Sequence, residues 1–182
     1  MTPTSGNLTI EQLLPLIRAM SVQKIANSSE RLLEHLPTGA SLSTGISHEV
    51  IENSIHFRID YQLLLKGSPE DPEETIGIFK SSVVVAYLTD NPPHEFWSTS
   101  APPLLNSMAW LAGHPYLRQS ISLMTAELNF PNITLGLLRL GATVPDSVTI
   151  ADRVYPFNLN IEVDPVGNVG TEATDVENRV DV

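Results

Sequence analysis

Residues 115–135 read PYLRQSISLMTAELNFPNITL. Leu117, Ile121, Met124 and Leu128 recur at steps of four, three and four, the spacing that lays one apolar stripe along an amphipathic helix. The helical pattern begins upstream with Leu104, Leu105, Met108, Leu111 and Ala112, and Pro115 is expected to interrupt or restart it. Phe130-Pro131 ends it, because proline cannot continue a helix and pushes the residue before it out of the helical region. Ile133, Leu135, Leu137 and Leu138 then form an apolar connecting segment, and residues 141–146 a turn region.

Upstream of the helix the period changes. Ile55, Phe57, Ile59, Tyr61, Leu63 and Leu65 alternate with His56, Arg58, Asp60 and Gln62, so residues 55–65 read as a strand with one buried face. Leu64 breaks the polar side and marks a second apolar surface. Residues 42–51 are a shorter strand, joined to it by a turn at Asn53-Ser54. Residues 66–74 form an acidic loop with Gly67, Pro69 and Pro72. Residues 75–88 are the next strand, and the unalternating Val83-Val84-Val85 predicts cover on both faces. Residues 21–36 read as an irregular edge strand, bulged over 31–36, before the Pro37-Thr38-Gly39 turn. Ahead of it Thr9 can cap a short helix with Leu13, Leu14, Leu16, Ile17 and Met20 on its apolar face. A proline-rich loop over 89–103 carries Phe96 and Trp97. Residues 148–163 suggest a short helix followed by an extended piece.

The order is helix, four strands, long helix and a variable end. Short connections between successive strands imply antiparallel pairing, and the class is α+β. One domain is expected over residues 1–160, with a disordered acidic tail over 161–182 that carries Glu162, Asp164, Glu172, Asp175, Glu177 and Asp181 against Arg179 alone.

The 182-residue chain has a net charge of −11, a pI near 4.7 and no cysteine. Disulfides and thiolate metal sites are therefore excluded, and a reducing cytoplasm suits the composition. The acidic surface argues against nucleic acid and anionic lipid as partners and favours basic polypeptides. No apolar run reaches the length of a membrane span, and residues 1–10 lack the basic and apolar regions of a secretory signal. No phosphate-cradling glycine loop, nucleophile elbow or His-Glu-x-x-His motif occurs, so no cofactor or metal is expected. His48-Glu49 and His94-Glu95 are neighbours that point apart on a strand, and Asp71, Glu73 and Glu74 sit on a solvated loop unsuited to acid–base work. Trp97, Trp110, Tyr116 and Phe130 cluster around the helix, as core or as the lining of an apolar groove.

The run Pro115-Tyr116-Leu117-Arg118, then Ile121 and Met124, then Phe130-Pro131-Asn132-Ile133-Thr134-Leu135, resembles the signature helix of the SecB family. SecB proteins open this helix with Pro-Tyr-x-Arg and leave it through Phe-Pro-x-Leu-x-Leu. The register here holds without a gap, and the resemblance extends over residues 22–138. It implies a four-stranded antiparallel sheet backed by helices, in a homotetramer that is a dimer of dimers. The long helix would be buried between sheets, with Tyr116, Leu117, Ile121, Met124 and Leu128 at the interface. It implies a molecular chaperone, not an enzyme, that holds preproteins unfolded for export and passes them to the SecA motor. SecB-like relatives, which also share a helix ahead of the first strand, instead serve the antitoxins of toxin–antitoxin systems.

A holdase needs open apolar surface and no ATP chemistry. Apolar contact contributes roughly 25 cal/mol per Å², and many weak contacts along one extended client sum by multivalency. On that reading Phe57, Tyr61, Tyr87, Trp97, Phe130, Ile133, Leu135 and Leu137 are the groove residues. The rival of another class is a hot-dog thioesterase, also a sheet wrapped on a long helix. It would need a histidine or carboxylate near the helix start, and His114 is the candidate.

Overall fold

A computed structural model describes residues 16–67, 71, 73–89, 103–161 and 171–174. Four long strands, β1 (Ile17–Arg31), β2 (Gly39–Ile51), β3 (Ser54–Lys66) and β4 (Thr75–Thr89), make an antiparallel sheet in the order β1-β4-β3-β2. The alternation of residues 55–65 is the backbone of its core. Ile55, Phe57, Ile59, Tyr61, Leu63 and Leu65 are buried, and opposite them stand Tyr87, Val85, Val83, Ser81, Phe79 and Gly77 of β4. The reverse face carries His56, Arg58, Asp60 and Gln62, so a one-residue slip would turn the whole apolar set into water. Ile51 and Ser54 pair directly, so the β2–β3 turn is Glu52-Asn53, with Glu52 at φ 50°.

Cover on both faces of β4 is not what the chain provides. Val83 and Val85 are buried against the helix side, but Val84 and Ala86 are half-buried and Leu88 is 41% exposed. Val84 lies between Gln23 and Arg58, whose long stems supply partial shelter on an otherwise wet face. The expected edge strand is present. β1 forms the sheet border, and its irregularities lie at Ile17/Ala19 and Lys24/Ala26 rather than over 31–36. The helix expected to run to Met20 does not reach that far. Ile17 to Met20 already belong to β1 and pair with β4, where cross-strand hydrogen bonds override the local helical spacing. Residues 1–15 lie outside the described residues.

Helix α1 (Pro103–Glu127) packs on the apolar sheet face through Leu105, Ala109, Trp110, Gly113, His114, Leu117, Ile121 and Met124. It runs unbroken through Pro115, contrary to the expected interruption. The proline ring sits on the exposed side, where it removes the hydrogen bond to the Leu111 carbonyl without meeting the sheet. Gly113 permits close approach. A Cβ there would stand 2.9 Å from Ile59 Cδ1 and 3.0 Å from Val83 Cγ2.

The end of α1 is a Schellman cap. Asn129 adopts φ 56°, its N–H donates to the Ala126 carbonyl at 3.0 Å, and the Phe130 N–H donates to Thr125 at 3.0 Å. Arg31, at the end of β1, donates through Nη1 to the Leu128 and Asn129 carbonyls at 2.8 and 3.2 Å and lies 4.5 Å over the Phe130 ring. A cation thus meets the negative end of the helix dipole.

The chain then forms β5 (Ile133–Leu135), β6 (Ser147–Ile150) and β7 (Arg153–Pro156), a small antiparallel sheet in that order. Ile133, Leu135, Val148 and Ile150 extend the core. No helix occurs over 148–161. The Ala151-Asp152 turn, with Ala151 at φ 53°, folds that stretch into a hairpin instead. β8 (Asn158–Ile161) pairs with β9 (Thr171–Thr174), and β9 joins the β2 border at Ser43–Glu172 and Thr44–Thr171. Five residues expected in the acidic tail, Ile161 and residues 171–174, are therefore strand, while residues 162–170 and 175–182 lie outside the described residues.

Candidate polypeptide-binding surface

Helical spacing divides the outer side of α1 into two stripes. Ala112, Tyr116 and Leu123 fall on one, with Tyr116 46% and Leu123 52% exposed. Leu111, Pro115, Arg118 and Ser122, at steps of four, three and four, fall on the other. The second stripe forms one wall of an open cleft of about 380 Å³. Pro115, Arg118, Gln119 and Ser122 line it from the helix, Thr134 and Leu137 from β5 and beyond, with His114 at the floor and Leu123 at the rim. Leu137 is 66% exposed and Leu140 is 75% exposed.

The residues expected to line a groove are distributed otherwise. Phe57, Tyr61, Tyr87, Phe130, Ile133 and Leu135 are all buried in the core. Period two along β3 and β4 reports the face that α1 covers, and β5 buries alternate residues against the same core, so these side chains are closed to a client. Burial also pushes the Tyr87 hydroxyl up to about 12 and raises Tyr61 further. Leu137 alone of the set opens onto the cleft, and Trp97 lies outside the described residues. The expected interface residues divide in the same way. Leu117, Ile121 and Met124 face the sheet and Leu128 is half-buried, while Tyr116 faces outward.

His114 does not stand near the helix start. It sits mid-helix and is buried, with Nδ1 3.0 Å from the Tyr61 hydroxyl and Nε2 2.9 Å from the Gly136 carbonyl. A carbonyl can only accept, so Nε2 carries the proton and Nδ1 accepts from Tyr61. Burial lowers the His114 pKa below 6.5; the Gly136 bond opposes this, the Arg118 charge adds to it and Asp146 opposes it. Both nitrogens are used to tie α1 to β3 and to the β5 exit, and neither is left to activate water.

The lining residues Arg118, Gln119, Ser122 and Thr134 are not marked by the apolar period. The signal for them was available as the second helical stripe, which becomes visible only once Pro115 is kept inside one continuous helix. Among the described residues no helix is long and apolar enough to cross a membrane, and no three metal-ligating side chains gather.

No family model matches the sequence, and no curated protein does. The fold is similar to that of the Mycobacterium tuberculosis Rv1957 SecB-like chaperone, solved in complex with a ChAD peptide from the Rv1956 HigA1 antitoxin. The TM-score is 0.55 at 14% identity, over 71% of this chain and 92% of that one. At that identity the likeness is one of fold: an antiparallel sheet of four long strands with one helix across it, as in a SecB-like chaperone.

Proposed function

We propose that this chain is a SecB-like holdase, a cytoplasmic chaperone that binds extended, unfolded polypeptide without enzymatic turnover. The observation that carries the reading is apolar side chains left in water at an open cleft, with Leu137 and Leu123 each more than half exposed. The fold likeness to a SecB-like chaperone supports it, and so does His114, whose two ring nitrogens are hydrogen-bonded within the protein.

The client is an unfolded polypeptide, and the antitoxin peptide in the neighbour's complex favours an antitoxin over an export preprotein. Delivery to SecA would call for an acidic sheet face. Here Glu30, Glu49 and Asp60 on the outer face are offset by Arg58 and Lys80. Assembly into a dimer of dimers fits two features: among the described residues β1 is the sheet border and suits pairing with a second sheet, and the Ala112–Tyr116 side of α1 suits packing of a second helix.

The test is suppression of aggregation of a chemically denatured protein, followed by light scattering, beside native mass. Leu137→Ser should lose most of the suppression with the native mass unchanged. Full suppression by that variant would reject the cleft as the client surface. The test cannot be run on Ile133 or Leu135, because both are core residues whose loss would unfold the β5–β6 pairing.

A further inference from the structure

Arg118 has no structural task that accounts for its position. It is half-buried in the cleft wall, and no ion pair or hydrogen bond holds its guanidinium among the described residues. The chain carries 21 Asp and Glu against 10 Lys and Arg, yet among the described residues no carboxylate lines the cleft. The nearby Asp146 is turned to the Ser147 hydroxyl at 2.9 Å and to Arg139 at 3.9 Å. His114, the other basic group of the lining, has its Nε2 proton committed to Gly136. The cleft therefore presents one uncompensated cation in an acidic protein, beside the apolar side chains of Leu137 and Leu123.

We propose that the cleft selects polypeptide segments that carry a carboxylate side chain next to a bulky apolar one, with Arg118 taking the carboxylate and Leu137 the apolar group. This rests on the holdase reading and names its client chemistry. A guanidinium binds a carboxylate through two parallel N–H···O bonds, an orientation that a point charge cannot impose. Gln119, Ser122 and Thr134 supply uncharged donors and acceptors for the rest of the segment. A volume of about 380 Å³ suits a few side chains of one extended segment and not a folded partner. Acidic clients are the opposite of what the net charge alone favours, so the preference is local and short-ranged.

The experiment uses the full chain and two fluorescein-labelled unstructured peptides, identical except for Asp or Asn beside a leucine. Anisotropy titrations should show the Asp peptide bound about tenfold tighter, the scale of one charge-assisted pair, and the ratio should shrink as salt is raised. Arg118→Gln should bring the ratio to one, and Arg118→Lys should keep part of it. Equal affinities for the two peptides on the unaltered chain would overturn the inference and leave the holdase reading standing. A ratio that survives Arg118→Gln would also overturn it, by assigning the preference to another cation. Binding of neither peptide, with no suppression of aggregation, would overturn both.

Discussion

Single residues set the joints of this fold. Arg31 closes the C-terminal end of α1 from a strand that lies 97 residues earlier in the chain. Arg31→Ala should cost about 2 kcal/mol, the scale of hydrogen bonds to a charged group, seen as a lower urea midpoint with an unchanged slope. Gly113→Ala gains helix propensity of about 1 kcal/mol but drives a methyl into Ile59 and Val83, and overpacking costs typically 1–3 kcal/mol. A net loss of stability is expected, and a gain would show that the helix can lift off the sheet at no cost.

His114 gives a pH dependence with a definite sign. Its folded pKa lies below 6.5 because burial disfavours the charged ring, so the unfolded chain binds more protons in the window beneath that value. Its contribution to stability is fully present above 6.5 and is lost as pH falls through the lowered folded value. Denaturant midpoints measured downward from pH 7 should fall, and more steeply than in His114→Gln. Equal slopes would show that the ring titrates freely.

At the scale of elements, α1 shows what the sequence could and could not disclose. The steps between Leu117 and Leu128 announced the helix, and Phe130-Pro131 announced its end. Pro115 was read as a break because proline costs a hydrogen bond, yet on the exposed side only the Leu111 carbonyl is affected. Pro115→Ala should restore that bond and raise stability by about 1 kcal/mol or more, measured by urea unfolding, and a lower midpoint would contradict this placement. Strands β3 and β4 were legible from period two and from the valine run. The same periodicity misled the choice of groove residues, since alternation tells that a face is buried but not by what. Phe57, Tyr61 and Tyr87 are under α1, and only the tertiary structure could say so. β1 over Ile17 to Met20 and the β6–β7 hairpin were missed because their pairing partners are distant in sequence or joined by a turn without glycine, where Ala151 takes the positive φ.

For the whole molecule, the balance is between an acidic exterior that keeps the chain dispersed and exposed apolar side chains, Leu137 at the cleft among them. On the holdase reading, an extended client covers Leu137 at the cleft. The most direct test is the concentration of this chain needed to halve the aggregation of a denatured client. The unaltered chain should suppress aggregation near stoichiometric amounts without nucleotide, and Leu137→Ser should need at least several-fold more at equal fold stability. Indifference of the unaltered chain to denatured polypeptide at any concentration would contradict the assignment.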